Sequence, residues 1–199
     1  MAEQTYSIDQ DLKEADAMAK ALVPYVHQDT LYGNVGGGGM FSGGKMPSLT
    51  VGGLVMRLRR LTLLRDKMTT SQQTRLDAVI SQNQQVLKEW HAHYEGKMVR
   101  EAGSRLDAMN QFFEECSGNP RACAANYGPE ASRRTIVQEL LIALHDMGTE
   151  VSDDLQKKMR GADSRLRRTI SPSDFIWAAE LQEIYPQKDF WWLYSRPQA

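Results

Sequence analysis

A glycine-rich segment carries the residue spacing that comes nearest to a phosphate-binding site. Gly39, four further residues, Gly44 and Lys45 follow most of the phosphate-binding loop pattern, in which backbone N–H groups and a lysine surround phosphate oxygens. Met46 stands where that pattern needs a Ser or Thr for magnesium, and Pro47 disfavours a helical conformation at Met46. We therefore expect a flexible or partner-ordered loop here. Binding of an anion or small ligand by Gly39, Gly44 and Lys45 is an alternative.

Histidines in the middle of the chain suggest a metal site by composition. His91 and His93 would point about 160° apart on a helix, so they cannot hold one ion together. His91 and Glu95 share a helix face, but two ligands make a weak site and an ordinary surface pair is the simpler interpretation. His27 and His145 have no predicted neighbours among metal-binding residues. We assign no metal ligand, no cofactor and no catalytic residue.

The cysteines and the overall composition narrow the class of protein. Cys116 and Cys123 fit no zinc-binding spacing; they could form a disulfide in an oxidising setting or remain buried thiols in a cytosol. A net charge of −1 argues against general binding of polyanions. No apolar run is long enough to span a membrane, and the first residues lack the order of a signal peptide. We expect a cytoplasmic protein forming a single helical domain over residues 1–199, with a glycine-rich loop at 32–48.

The elements that would position any site are helices, and the stretch 70–116 is the longest of them. Its apolar residues recur at alternating spacings of three and four, which is the pattern of one buried helical face. A straight helix of this length would extend about 70 Å, whereas a compact globule of this size is about 40 Å across. The apolar face rotates near Gly96, where we expect a bend or a strong twist. The predicted fold is an all-α bundle built on this central helix with an antiparallel partner helix.

The partner helix, residues 51–68, has two apolar strips. The main strip faces the core, and a second strip with Met56 and Leu63 lies beside Arg59 and Arg60. One interpretation is that both strips are covered within one chain. The other is that Met56, Arg59, Arg60 and Leu63 bind a partner, with arginines at the rim of the interface.

The C-terminal residues 171–199 hold seven of the sixteen aromatic side chains. We expect an appendage that forms a strap closing the open side of the bundle, with a short helix around 173–183. The alternative is a partner site that includes Trp191 and Trp192.

The sequence favours a non-enzymatic helical interaction or assembly module that associates with itself or with another protein. Its excess helix length, its two-faced partner helix and its aromatic tail favour this function. The alternatives are nucleic-acid binding through the basic helices 57–67 and 157–168, and ligand binding at the glycine-rich loop.

Overall fold

The computed structural model describes residues 5–35 and 46–198, and over this range the protein is all-α, as predicted. The described α-helices are α1 (Ile8–Lys20), α2 (Leu22–Val26), α3 (Val51–Leu63), α4 (Thr70–Glu89), α5 (His91–Glu115), α6 (Pro120–Ala125), α7 (Tyr127–Asp146) and α8 (Asp153–Thr169). Strands β1 (Ile170–Pro172) and β2 (Ser195–Pro197) pair antiparallel, with Ser171 opposite Arg196. Among the described residues, no helix is both long and apolar enough to cross a membrane.

The described chain divides into two compact units. The first unit comprises residues 7–101, and the second comprises Thr5, Tyr6 and residues 102–198. Helix α5 begins in the first unit and ends in the second. That the whole chain behaves as a single domain stays a prediction.

Helices of the first unit begin where short polar side chains can cap them. The hydroxyl of Ser7 accepts a hydrogen bond from the N–H of Gln10 at 3.2 Å, and Thr69 forms a reciprocal capping box with Gln72. Helix α1 packs against α3 and α4. The buried side chains of these helices follow the predicted apolar stripes: Leu12, Ala15, Ala19, Leu54, Leu61, Leu76, Val79 and Val86.

The long central helix is interrupted at Trp90, six residues before Gly96, near which we expected a bend or a strong twist. Helix α5 passes through Gly96 without a break. The hydroxyl of Tyr94 donates to the side-chain oxygen of Asn83 at 2.8 Å. In a straight helix these two residues would be about 16 Å apart, beyond the combined reach of their side chains. The backbone must therefore turn between them, and Trp90 leaves the helical conformation with φ −124° and ψ 36°.

In the second unit, α7 is the most buried helix and the tail packs as an irregular strap. The prediction of a short helix around 173–183 is wrong, because the helical structure in that range is limited to a three-residue 3-10 turn, Ala179–Leu181. The tail instead forms strand β2 and a second 3-10 turn, Trp191–Tyr194. Its aromatic side chains contact one another edge-on, as in the pair of Tyr185 and Phe190 with ring centres 4.9 Å apart.

Candidate functional site

Three aromatic side chains contact one another at the surface of the first unit, where α4 ends and α5 begins. The rings of His27 and Trp90 lie 4.2 Å apart in an edge-on arrangement. The ring of His93 lies 5.1 Å from His27 and 6.2 Å from Trp90. Both histidines are exposed, and Trp90 is 36% exposed. We call His27, Trp90 and His93 the Trp90 patch. Val23, 41% exposed, lies one helical turn before His27 on the same side.

A buried lysine holds the two parts of the Trp90 patch together. Lys97, one turn after His93 on α5, is only 3% exposed. Its ammonium donates to the carbonyl oxygens of Gln28 and Thr30 at 2.6 and 2.5 Å and lies 4.2 Å from the ring centre of Tyr25. Burial lowers the pKa of Lys97. These bonds fix the chain that follows α2 against α5, which brings His27 to His93.

The predicted anion-binding residues Gly39, Gly44 and Lys45 lie outside the described residues. The chain on either side of them is joined by a pair of backbone hydrogen bonds between Gly33 and Leu49, at 2.9 and 2.8 Å. Only glycine fits at position 33, because a Cβ there would lie 2.7 Å from the ring of Tyr25.

The N-terminus of α3, which follows the glycine-rich segment, already holds a carboxylate. The wholly buried Glu101 accepts a hydrogen bond from the N–H of Gly52 at 2.8 Å. The hydroxyl of Thr50 accepts the next N–H, that of Gly53, at 3.0 Å. A phosphate bound at this helix terminus would have to displace Glu101.

The arginine-rich side of α3 is largely committed to contacts within the first unit. Arg57 pairs with Glu14 and lies 3.4 Å from Asp11, and Arg60 lies 3.8 Å from Asp11. Met56 is only 5% exposed, and its sulfur accepts a hydrogen bond from Arg60 at 3.4 Å. Of the residues predicted for this partner surface, Arg59 is half-buried and Leu63 is 57% exposed.

The two tail tryptophans predicted as partner residues lie in different environments. Trp192 is wholly buried, and its indole N–H donates to the hydroxyl of Thr135 at 2.9 Å. Trp191 is half-buried, with the guanidinium of Arg167 at 3.8 Å from its ring centre. Trp192 therefore belongs to the core of the second unit, and Trp191 lies at its margin.

A disulfide and a cavity are two further features of the second unit. Cys116 and Cys123 form a disulfide, which the sequence had left open. A cavity of about 890 Å³ is lined in part by the aromatic side chains of Phe175 and Trp177 and by the polar side chains of Ser132, Glu180 and Arg196. Over residues 5–35 and 46–198, no three His, Cys, Asp or Glu side chains come together as a metal site.

Glu130 of α7 is a buried carboxylate with an incomplete set of partners. It is 3% exposed; one oxygen accepts from Arg133, and the other has no hydrogen-bond partner among the described residues. Burial raises the pKa of Glu130, and the neighbouring Arg133 opposes this effect.

The raised pKa makes stability depend on pH at this residue. A carboxyl whose pKa is raised on folding stabilises the folded state at low pH, and this contribution is lost as the pH rises through the folded pKa. We expect Glu130→Gln, which cannot ionise, to melt at a higher temperature than the wild type at pH 8 and at a similar temperature at pH 4. Thermal melts at the two pH values measure this, and a variant less stable at both would contradict it.

Sequence comparison found no matching protein-family model and no matching curated protein, and structural comparison found no matching solved structure, so the function must be argued from the residues of this chain.

Proposed function

We propose that the protein is a non-enzymatic helical assembly module that associates with itself through the Trp90 patch. The observation that carries the proposal is an exposed tryptophan at a helix interruption, flanked by two exposed histidine rings. Tryptophan is enriched in the cores of protein interfaces, where its large ring becomes buried on association. The large apolar side chains that are exposed all lie in the first unit, among the described residues: Val23, Tyr32, Leu63, Trp90 and Val99.

A second copy of the chain is the occupant that the charges favour. The net charge of −1 causes little repulsion between two copies. The Trp90 patch contains no Lys, Arg, Asp or Glu. When two copies of the patch face each other across a two-fold axis, the patch residues therefore bring no such charged side chains together. Edge-on packing of one aromatic ring against another, already present within the patch, can continue across such an interface.

Nucleic-acid binding, through 57–67 and 157–168, is less well supported. Phosphate contacts need free cations, but Arg57 and Arg60 already face Asp11 and Glu14. On α8, Lys158 lies 3.0 Å from a carboxylate oxygen of Asp107.

The predicted cytoplasmic location is weakened by the disulfide. Disulfides are uncommon in cytosolic proteins and typical of oxidising compartments. The bond between Cys116 and Cys123 therefore weighs against this location.

The test replaces Trp90 by alanine and measures self-association by sedimentation velocity in buffer that contains EDTA. We expect the dissociation constant of the wild-type dimer to rise by about 20-fold or more, because an interface tryptophan commonly contributes roughly 2 kcal/mol.

The matched control is Leu63→Ala, which removes another exposed apolar side chain of the same unit. Leu63 lies near the beginning of α4, whereas Trp90 follows its end about 30 Å away. We expect the control to dimerise like the wild type. Equal dimerisation by the Trp90→Ala variant would overturn the proposed interface.

A further inference from the structure

The two histidines of the Trp90 patch are free to bind a ligand. His27 and His93 are 66 positions apart in sequence, but their rings lie 5.1 Å apart at the surface. Within the described residues, neither imidazole takes part in a hydrogen bond or an ion pair, and their ring contacts are with each other and with Trp90. This pair differs from His91, whose ring nitrogen lies 3.6 Å from Glu95.

The separation of the rings suits a shared metal ion. A zinc ion lies about 2.0 Å from each ligating nitrogen, and two imidazoles on one tetrahedral ion have ring centres roughly 5 Å apart. The observed separation of 5.1 Å meets this requirement. The bonds from Lys97 to the carbonyls of Gln28 and Thr30 hold the chain after His27 against α5, so little additional ordering would be needed to bring the rings together.

We infer that His27 and His93 form half of a zinc site that is completed by the same two histidines of a second copy. One chain supplies only two ligands, and among its described residues no third His, Cys, Asp or Glu lies close enough to complete a set. Two copies related by a two-fold axis supply four imidazoles, which is the coordination number of a closed zinc site. The inference rests on the proposed self-association, and the shared zinc ion would strengthen the dimer.

The chemistry of the ligands selects the class of cation. Neutral imidazole suits late first-row divalent ions such as Zn²⁺, whereas Mg²⁺ and Ca²⁺ prefer oxygen ligands. Trp90 packs beside both rings and would partly exclude water from the ion. We therefore expect a response to Zn²⁺ and none to Mg²⁺ at the same concentration.

The experiment treats the protein with EDTA, removes the EDTA by dialysis, and then adds ZnCl₂ at half the molar concentration of the chain. Native mass spectrometry is expected to show a dimer carrying one zinc ion, and sedimentation velocity a dimer dissociation constant at least about tenfold lower than in EDTA. His27→Gln and His93→Gln, each at an exposed position, should abolish the zinc effect. His91→Gln is the matched control and should retain it.

The outcomes separate this inference from the proposed function. A dimer that forms in EDTA and is unaffected by zinc overturns the metal site and leaves the self-association intact. A monomer under both conditions overturns both. A zinc effect that survives His27→Gln and His93→Gln but is lost in His91→Gln would place the metal at His91 and Glu95, and would also overturn the inference.

Discussion

Replacing Trp192 by alanine is expected to lower the free energy of unfolding of the second unit by about 4 kcal/mol. The side chain is wholly buried, so its removal leaves a large cavity. The variant also loses the hydrogen bond from the indole to Thr135 and the contact of Arg134, whose guanidinium lies 4.1 Å from the ring centre. Urea denaturation gives the loss of stability, and hydrogen exchange should rise in α7 and in residues 170–198.

Two variants sharpen this prediction. Trp191→Ala removes the half-buried neighbour and its contact with exposed Arg167, so we expect a loss of about 1 kcal/mol. Trp192→Phe keeps much of the buried ring, so its loss of stability should lie between those of Trp192→Ala and Trp191→Ala. Thr135 still donates to the carbonyl of Ala131 at 2.9 Å in that variant, so its hydroxyl keeps one partner. Equal losses in Trp192→Ala and Trp191→Ala would contradict the assignment of Trp192 to the core.

Replacing Arg57 by alanine is expected to destabilise the first unit by about 3 kcal/mol. The guanidinium pairs with Glu14, lies 3.4 Å from Asp11 and donates to the carbonyl of Gly53 at 2.9 Å. The side chains of Arg57 and Asp11 are 12% and 8% exposed. Removing this cation leaves Arg60, 3.8 Å from Asp11, to face two poorly hydrated carboxylates. We expect faster hydrogen exchange in α1 and α3, with little change in residues 170–198.

A rescue variant tests the electrostatic cause. Arg57→Leu combined with Glu14→Gln removes both charges of the direct ion pair and leaves Asp11 beside Arg60, and we expect it to regain much of the lost stability. Arg65→Ala serves as the control, because Arg65 pairs with Asp77 at an exposed position and should change stability little. If the double variant is no more stable than Arg57→Ala, lost packing rather than the charge of Glu14 is the cause.

Local features of the fold were predictable from the sequence because they depend on neighbouring residues. The apolar stripes identified helices and most of their buried positions, and Ser7, Thr69 and Ser152 are the kinds of short polar residue that cap helices. The interruption at Trp90 was missed because no Gly or Pro marks it in the sequence, and it is recognised only from the backbone at Trp90 and from the contact of Tyr94 with Asn83. Gly96 gave the stronger local signal, but helix α5 tolerates it.

The candidate site was not predictable because long-range contacts assemble it. The two-residue spacing of His91 and His93 argued against a chelating pair formed by those two residues. The partner of His93 is instead His27, and Lys97 brings the two together through bonds to backbone carbonyls. One signal was available in the sequence: Lys97 and Glu101 lie four residues apart on an apolar helical face. Buried charges usually have dedicated partners, so these two residues could have indicated long-range contacts.

Native mass spectrometry of the wild-type protein in EDTA, beside the Trp90→Ala variant at the same concentration, tests self-association through the Trp90 patch most directly. We expect the wild type at twice the chain mass with no added ligand, and the variant at the mass of one chain. A wild-type monomer across the micromolar range, or a variant that remains a dimer, would contradict the account.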